Sequence, residues 1–218
     1  MIRLVDINKY YHTRRGPNHV LRDVNLTLEK GQKIGILGRN GAGKTTLIRI
    51  VGGVEKPTSG RVERDMTISW PLAFSGAFQQ SLTGYDNLKF ICRIYGKDPE
   101  EALPAVEDFA ELGRYMREPL KNYSAGMRAR LGFAISLVVD FDCFLIDEVV
   151  AVGDQRFQNR CHEELIVKRA DRSMFFVSHN PSFIRQNCDM AAVLVDGTLV
   201  SFEDVDEAYH YYQAHYRE

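Results

Sequence analysis

The segment GRNGAGKT, residues 38–45, leaves few folds open to this 218-residue chain. It fits the pattern G-x-x-x-x-G-K-[ST] and sits between two different kinds of element. Before it, KIGILG is a short apolar run ending in glycine, which predicts a buried parallel strand. After it, GKTTLIRIVGG predicts a helix that stops at Gly52-Gly53. Gly38, Gly41 and Gly43 let successive backbone N–H groups turn inward and form an anion nest, together with the backbone of Arg39, Asn40 and Ala42. The helix N-terminus at Lys44, Thr45 and Thr46 adds its partial positive charge. Lys44 is placed to reach the β- and γ-phosphates of a nucleotide, and Thr45 to ligate Mg²⁺.

A phosphate loop of this kind needs an acid at the end of a neighbouring strand, and CFLIDE, residues 143–148, supplies one. Its apolar residues predict a buried strand. Asp147 is placed to hold Mg²⁺ through water, and Glu148 to act as general base toward an attacking water.

The rest of the chain fills in around these two motifs. IRLVDINKYY and HVLRDVNLTLE alternate with period two and predict strands, joined by the basic, turn-rich HTRRGPN. SGRVERDMTISW predicts another strand. From about Tyr85 to Gly113 the sequence is helical in character, and a second helix is expected from Ser124 to about Val139. Beyond them the order is strand, helix, strand, short helix, hairpin and C-terminal helix. Strands alternating with helices imply an α/β fold with a mostly parallel central sheet, preceded by an antiparallel β part and interrupted by an inserted helical subdomain. The expected division is a core of residues 1–80 and 141–218 with a helical subdomain at about 81–140, all in one domain.

Composition excludes several partners. A formal net charge of -1 gives no basic field for nucleic acid, so any phosphate contact must come from a local site. The four cysteines are widely spaced with no CxxC pair, as expected of reduced thiols. The N-terminus has no signal-peptide h-region, and the longest apolar run, LGFAISLVV, is far short of the about 20 residues that span a bilayer.

With these elements in order, the chain resembles the ABC-type ATPases, over essentially its whole length. YSAGM, residues 123–127, resembles the LSGGQ signature: Ser124 and Gly126 are retained, while Tyr123, Ala125 and Met127 depart from it. His179, ending VSH, resembles the switch histidine that touches the γ-phosphate. Asp154, ending VVAVGD, falls at the D-loop, with Val149 where the family usually has proline. Tyr11 matches the aromatic that stacks on adenine, with Tyr10 a rival. Gln79 matches the Q-loop glutamine, with Gln80 a rival, and the match implies a catalytic place beside Mg²⁺ and the γ-phosphate. The resemblance implies a P-loop NTPase fold that binds and hydrolyses ATP with Mg²⁺. It also implies that Ser124, Ala125, Gly126 and Met127 of one copy complete the ATP site of another, in an ATP-dependent head-to-tail homodimer.

The resemblance further implies a separate integral membrane permease and a peripheral place on the cytoplasmic face of the bacterial inner membrane. TISWPLAFSGAFQQSLTGYDNLKFICRIYG, YSAGMRARLGFAIS and DEVVAVGDQRFQ look like the ATPases of bacterial capsular polysaccharide exporters and their O-antigen and teichoic-acid relatives. A capsular, lipid-linked polysaccharide is the implied cargo. The alternatives are a related O-antigen or teichoic-acid exporter, a soluble ABC ATPase of repair or translation, or a P-loop kinase. Within SWPLAFSGAFQQSLTG, residues 69–84, Phe74, Phe78 and Leu82 are expected to line a groove for a helix of the membrane partner. At the other end, the aromatic residues of AYHYYQAHY at helical spacing predict a packing stripe.

Overall fold

The computed structural model describes residues 1–14, 16–72, 78–147, 154–178 and 180–216. Contacts divide the chain into two compact units. One comprises residues 1–71, 142–148 and 169–218, and the other residues 72–141 and 149–168.

The first unit holds both sheets. Strands β1 (Ile2–Thr13), β2 (Gly16–Leu28) and β4 (Ser59–Arg64) form an antiparallel sheet in the order β2-β1-β4. The second sheet has the order β5-β6-β3-β7-β8, from β3 (Lys33–Leu37), β5 (Cys143–Asp147), β6 (Ser173–Val177), β7 (Met190–Val195) and β8 (Thr198–Phe202). Its β5/β6, β6/β3 and β3/β7 pairs are parallel, and only β7/β8 is antiparallel. This is the mostly parallel sheet with an antiparallel β part that the strand–helix alternation predicts.

Two local expectations change. HTRRGPN is mostly strand: β1 and β2 pair as far as Thr13↔Gly16, and the Thr13 hydroxyl donates to the Gly16 carbonyl at 2.7 Å. Gly16 takes φ 110°, which a side chain would oppose, and the strands extend further into this segment than expected. The strand expected over 59–70 ends at Arg64. The chain then joins the other sheet, where Ile68 bridges Cys143 in parallel and the Ser69 hydroxyl accepts from the Leu145 N–H at 2.9 Å.

One apolar cluster joins the two sheets to helix α1 (Lys44–Val51). Leu4, Leu21 and Val24 come from the antiparallel sheet, Ile34, Ile36, Leu145 and Phe175 from the parallel one, and Leu47, Ile48 and Val51 from the helix. Fully burying each such side chain contributes about 1.5–3 kcal/mol, so the position of α1 is strongly fixed. Helix α6 (Pro181–Asn187) approaches β3 closely because residue 35 is glycine: a Cβ there would lie 2.3 Å from Ile184 Cγ2. Helix α7 (Val205–Tyr216) ends this unit. Its aromatics pack within the unit: Tyr212 and Tyr216 lie 5.0 Å apart, and the Tyr216 hydroxyl donates to the Leu194 carbonyl at 3.1 Å.

The second unit is helical, with α2 (Gly84–Ile94), α3 (Pro99–Ala110), α4 (Ala125–Val139) and α5 (Gln155–His162). The helix expected over 155–170 is split: α5 gives way to a π-helical turn at Glu163–Val167. Thr83 caps α2 and Asp98 caps α3, each accepting a backbone N–H from its helix's first turn. Leu131 through Ser136 of α4 are all buried, so this helix has no wet face along that stretch. Phe109, Phe133 and Phe157 form its aromatic centre, with ring centroids 5.3–6.2 Å apart. Among the described residues no helix is long and apolar enough to cross a membrane.

Candidate active site

Register alone brings the phosphate loop and the acid to one end of the parallel sheet. Ile36 of β3 lies beside Val177 of β6, and Val177 lies beside Asp147 of β5. The loop begins at Gly38, just past β3. A cavity of about 320 Å³ opens there, lined by Asn40, Gly41, Gly43, Lys44, Thr45, Thr46, Asp147 and Val20.

The glycines are needed for identifiable reasons. Gly41 and Gly43 take φ of 85° and 107°, in the left-handed region that turns N–H groups inward. A Cβ on Gly43 would also meet Val20 at 3.0 Å, and one on Gly38 would lie 2.9 Å from the Leu194 carbonyl oxygen. Gly43 is the N-cap of α1 and offers no side chain to the first-turn N–H groups. A helix N-terminus of this kind favours an anion placed near it. The Lys44 ammonium is buried within the loop and donates to the carbonyls of Gly38 at 2.7 Å and Arg39 at 3.1 Å. A nest, a helix N-terminus, an ammonium, a hydroxyl at Thr45 and a carboxylate at Asp147 together fit a phosphate chain with a hard divalent cation.

The two candidate aromatics differ. Tyr11 points toward α1: its hydroxyl donates to Glu55 at 2.7 Å and lies 3.3 Å from the Thr46 hydroxyl. Burial, reinforced by the Glu55 contact, raises its pKa, so it remains a donor at neutral pH. Tyr10 instead stacks on His19, with ring centroids 3.8 Å apart.

Ser124 to Met127, Asp154 and Gln79 lie in the helical unit. Ser124 is the N-cap of α4, and its exposed hydroxyl accepts from the Met127 N–H at 3.2 Å. The turn is anchored on one side by Tyr123, whose buried hydroxyl donates to the Tyr115 carbonyl at 2.5 Å and is pushed up to about 12 by burial. Arg128 donates to the Tyr123 carbonyl. Ala125 is exposed, and Gly126 and Met127 are half-buried. Asp154 caps α5 through the Phe157 N–H at 2.9 Å. The backbone of Gln79 is held by Asn87, which accepts from its N–H at 2.8 Å and donates to its carbonyl at 3.1 Å, while both Gln79 and Gln80 are exposed. Glu148, His179 and Phe74 lie outside the described residues. Phe78 does not line an open groove: it is buried, in contact range of Gly132, where glycine admits its ring. Leu82 is exposed.

Sequence reasoning missed Val20 at the cavity and Arg130 in α4. Arg130 reaches both Glu111, at 3.4 Å, and Asp154, at 3.2 Å. No spacing in the sequence pairs it with those acids.

Comparison with known proteins decides the lineage. The family model described as "ABC transporter" matches residues 21–151. The chain belongs to the ABC transporter family. Among ABC transporter proteins it is 60% identical over 212 residues to the ATP-binding protein BexA of Haemophilus influenzae, covering 97% of this chain and 98% of that protein. It is 58% identical over 214 residues to the capsule polysaccharide export ATP-binding protein CtrD of Neisseria meningitidis serogroup B, covering 98% and 99%. The ABC fold is also that of the cassette MJ0796, solved as a dimer, with a TM-score of 0.74 at 22% identity over 91% of this chain and 96% of that one.

Proposed function

We propose that this chain is the ATP-hydrolysing subunit of an exporter that moves capsular polysaccharide, in lipid-linked form, across the bacterial inner membrane. The observation that carries it is the cavity joining the phosphate loop to Asp147, in a chain matched nearly end to end by a capsule export ATP-binding protein. The protein acts as one nucleotide-binding domain built from its two units.

ATP lies with its phosphates in the nest of Gly38 to Gly43 and its adenine on Tyr11. Lys44 contacts the β- and γ-phosphates. Thr45 and, through water, Asp147 would hold Mg²⁺, with Gln79 as a further candidate ligand. When bound, the ion neutralises charge on the phosphate oxygens. Glu148 takes a proton from the attacking water as its oxygen bonds to the γ-phosphorus. The bond from that phosphorus to the bridging oxygen breaks, leaving ADP and phosphate. His179 contacts the γ-phosphate.

Ser124, Ala125, Gly126 and Met127 of a second copy cover the exposed γ-phosphate, exclude water and supply opposing donors. Asp154 lies at the same contact. The pair is a head-to-tail homodimer with two equivalent sites, closed by two-fold symmetry. It docks on an integral membrane permease from the cytoplasmic side.

The test is complementation of an encapsulated strain that lacks this subunit. The wild-type chain restores surface polysaccharide, and Lys44→Ala leaves the polymer inside the cell. Normal surface polysaccharide with Lys44→Ala would overturn the assignment.

A further inference from the structure

An ion-pair network in the helical unit joins α3, α4 and α5. Arg130 is its centre on α4. One guanidinium nitrogen lies 3.4 Å from the Glu111 carboxylate and the other 3.2 Å from Asp154. Glu111, which ends α3 in the left-handed conformation at φ 52°, also pairs with Arg160 of α5 at 2.9 Å and Arg156 at 3.3 Å. Arg160 in turn holds Asp108 of α3 at 2.8 Å. The two inner arginines lie over aromatic rings, Arg130 over Phe157 at 4.6 Å and Arg160 over Phe109 at 4.8 Å.

Most of these carboxylates are wet, and exposed pairs add little to stability. Arg130 differs, because its side chain is only 18% exposed and its planar fork serves two acids on different elements. One acid is the α3 terminus. The other is the N-cap of α5. Arg130 itself lies less than two turns along α4 from the cap residue Ser124. The fork therefore ties the N-terminal turns of α4 and α5 into one body, backed by the Phe109–Phe133–Phe157 cluster.

We infer that Arg130 is a positioning residue for ATP hydrolysis. It fixes the Ser124–Met127 turn and Asp154 in one spatial relation, so that both reach a second copy's nucleotide together. The inference rests on the proposed dimeric site. It assigns Arg130 no contact with nucleotide. Its effect belongs to turnover in the assembled pair, while nucleotide capture at the P-loop of a single chain is independent of it.

The experiment compares Arg130→Lys, Asp154→Asn and the double variant in purified full-length protein. Lys keeps the charge but cannot bridge two acids at these positions. Asn keeps a capping oxygen for α5 and removes the ion pair. ATP turnover is measured for kcat and KM, binding of a fluorescent ATP analogue reports the P-loop, and thermal unfolding reports the fold. Each single variant is expected to lower kcat about tenfold, with analogue binding and Tm near wild type. The double variant should lose no more than the worse single one. Wild-type kcat in either single variant overturns the inference. So do losses that multiply in the double variant, or a kcat loss matched by weaker analogue binding or a fallen Tm. Gly126→Asp serves as the reference. If it is inactive while Arg130→Lys and Asp154→Asn are unimpaired, only this inference fails. If Gly126→Asp itself turns over normally, the dimeric site fails with it.

Discussion

The Lys44 ammonium donates to the Gly38 carbonyl oxygen at 2.7 Å, drawing the far end of the phosphate loop back onto its start. The same charge is available to a nucleotide that enters the loop. A charge-assisted hydrogen bond contributes about 1.5–3 kcal/mol. Lys44→Ala should therefore weaken ATP affinity by about tenfold to a hundredfold. Titration with a fluorescent ATP analogue measures this directly. Unchanged affinity would remove Lys44 from the phosphate site.

Gly126 offers an unusually clean probe of the contact between copies. A Cβ there would meet only Ser124 Oγ, at 3.8 Å, an ordinary contact distance. Gly126→Asp should fold with a near wild-type Tm, yet present a carboxylate to the γ-phosphate of the other copy. Turnover should fall at least about a hundredfold, while nucleotide binding to the isolated chain persists. Intact turnover in purified protein would favour a kinase-like enzyme that works without a second copy.

Glu148→Gln keeps the shape of the side chain and removes the base. Hydrolysis should fall by about two or more orders of magnitude, ATP should stay bound, and a dimer should accumulate. Size-exclusion chromatography with and without ATP reads the outcome. A chain that elutes as a monomer in both conditions would count against Glu148 as the base of a closed dimer.

Asp142 makes stability depend on acid. Its carboxylate accepts from the Thr67 N–H at 2.9 Å and the Thr67 hydroxyl at 2.8 Å, with Lys30 at 3.5 Å. These contacts, the Thr67 N–H foremost, lower its pKa below the ordinary carboxylate value of 3.8. A depressed carboxylate stabilises the fold fully above its unfolded pKa, and that contribution is lost as pH falls through the folded one. Asp142→Asn should therefore lower Tm at neutral pH, and the gap from wild type should close below about pH 4. Thermal scans across pH 3–7 give the comparison. A gap that stays constant with pH would show that ionisation of Asp142 contributes nothing.

The phosphate loop, the strand before it and the acid at Asp147 were legible because each follows from local chemistry: glycines at positive φ, an apolar run, a carboxylate at its end. The choice between Tyr10 and Tyr11 was not, because neighbouring strand residues face opposite ways and only pairing decides which meets α1. Phe78 was misread because an aromatic beside glycines and glutamines gives no sign that Gly132, over fifty residues later, makes room for its ring. The Arg130 network was invisible for a related reason. Glu111, Asp154 and Arg160 become neighbours only when α3, α4 and α5 pack, and no spacing in the sequence encodes that packing.

The missing side chain at residue 35 has a consequence of its own. Ile184 is fully buried and fills the space that a methyl group on residue 35 would need. The seam between β3 and α6 is thus a fit with almost no mechanical tolerance. A single added carbon there would act as a wedge and push the helix off the strand. The spacing of this layer is in this sense set from within the interior, by an atom the chain leaves out.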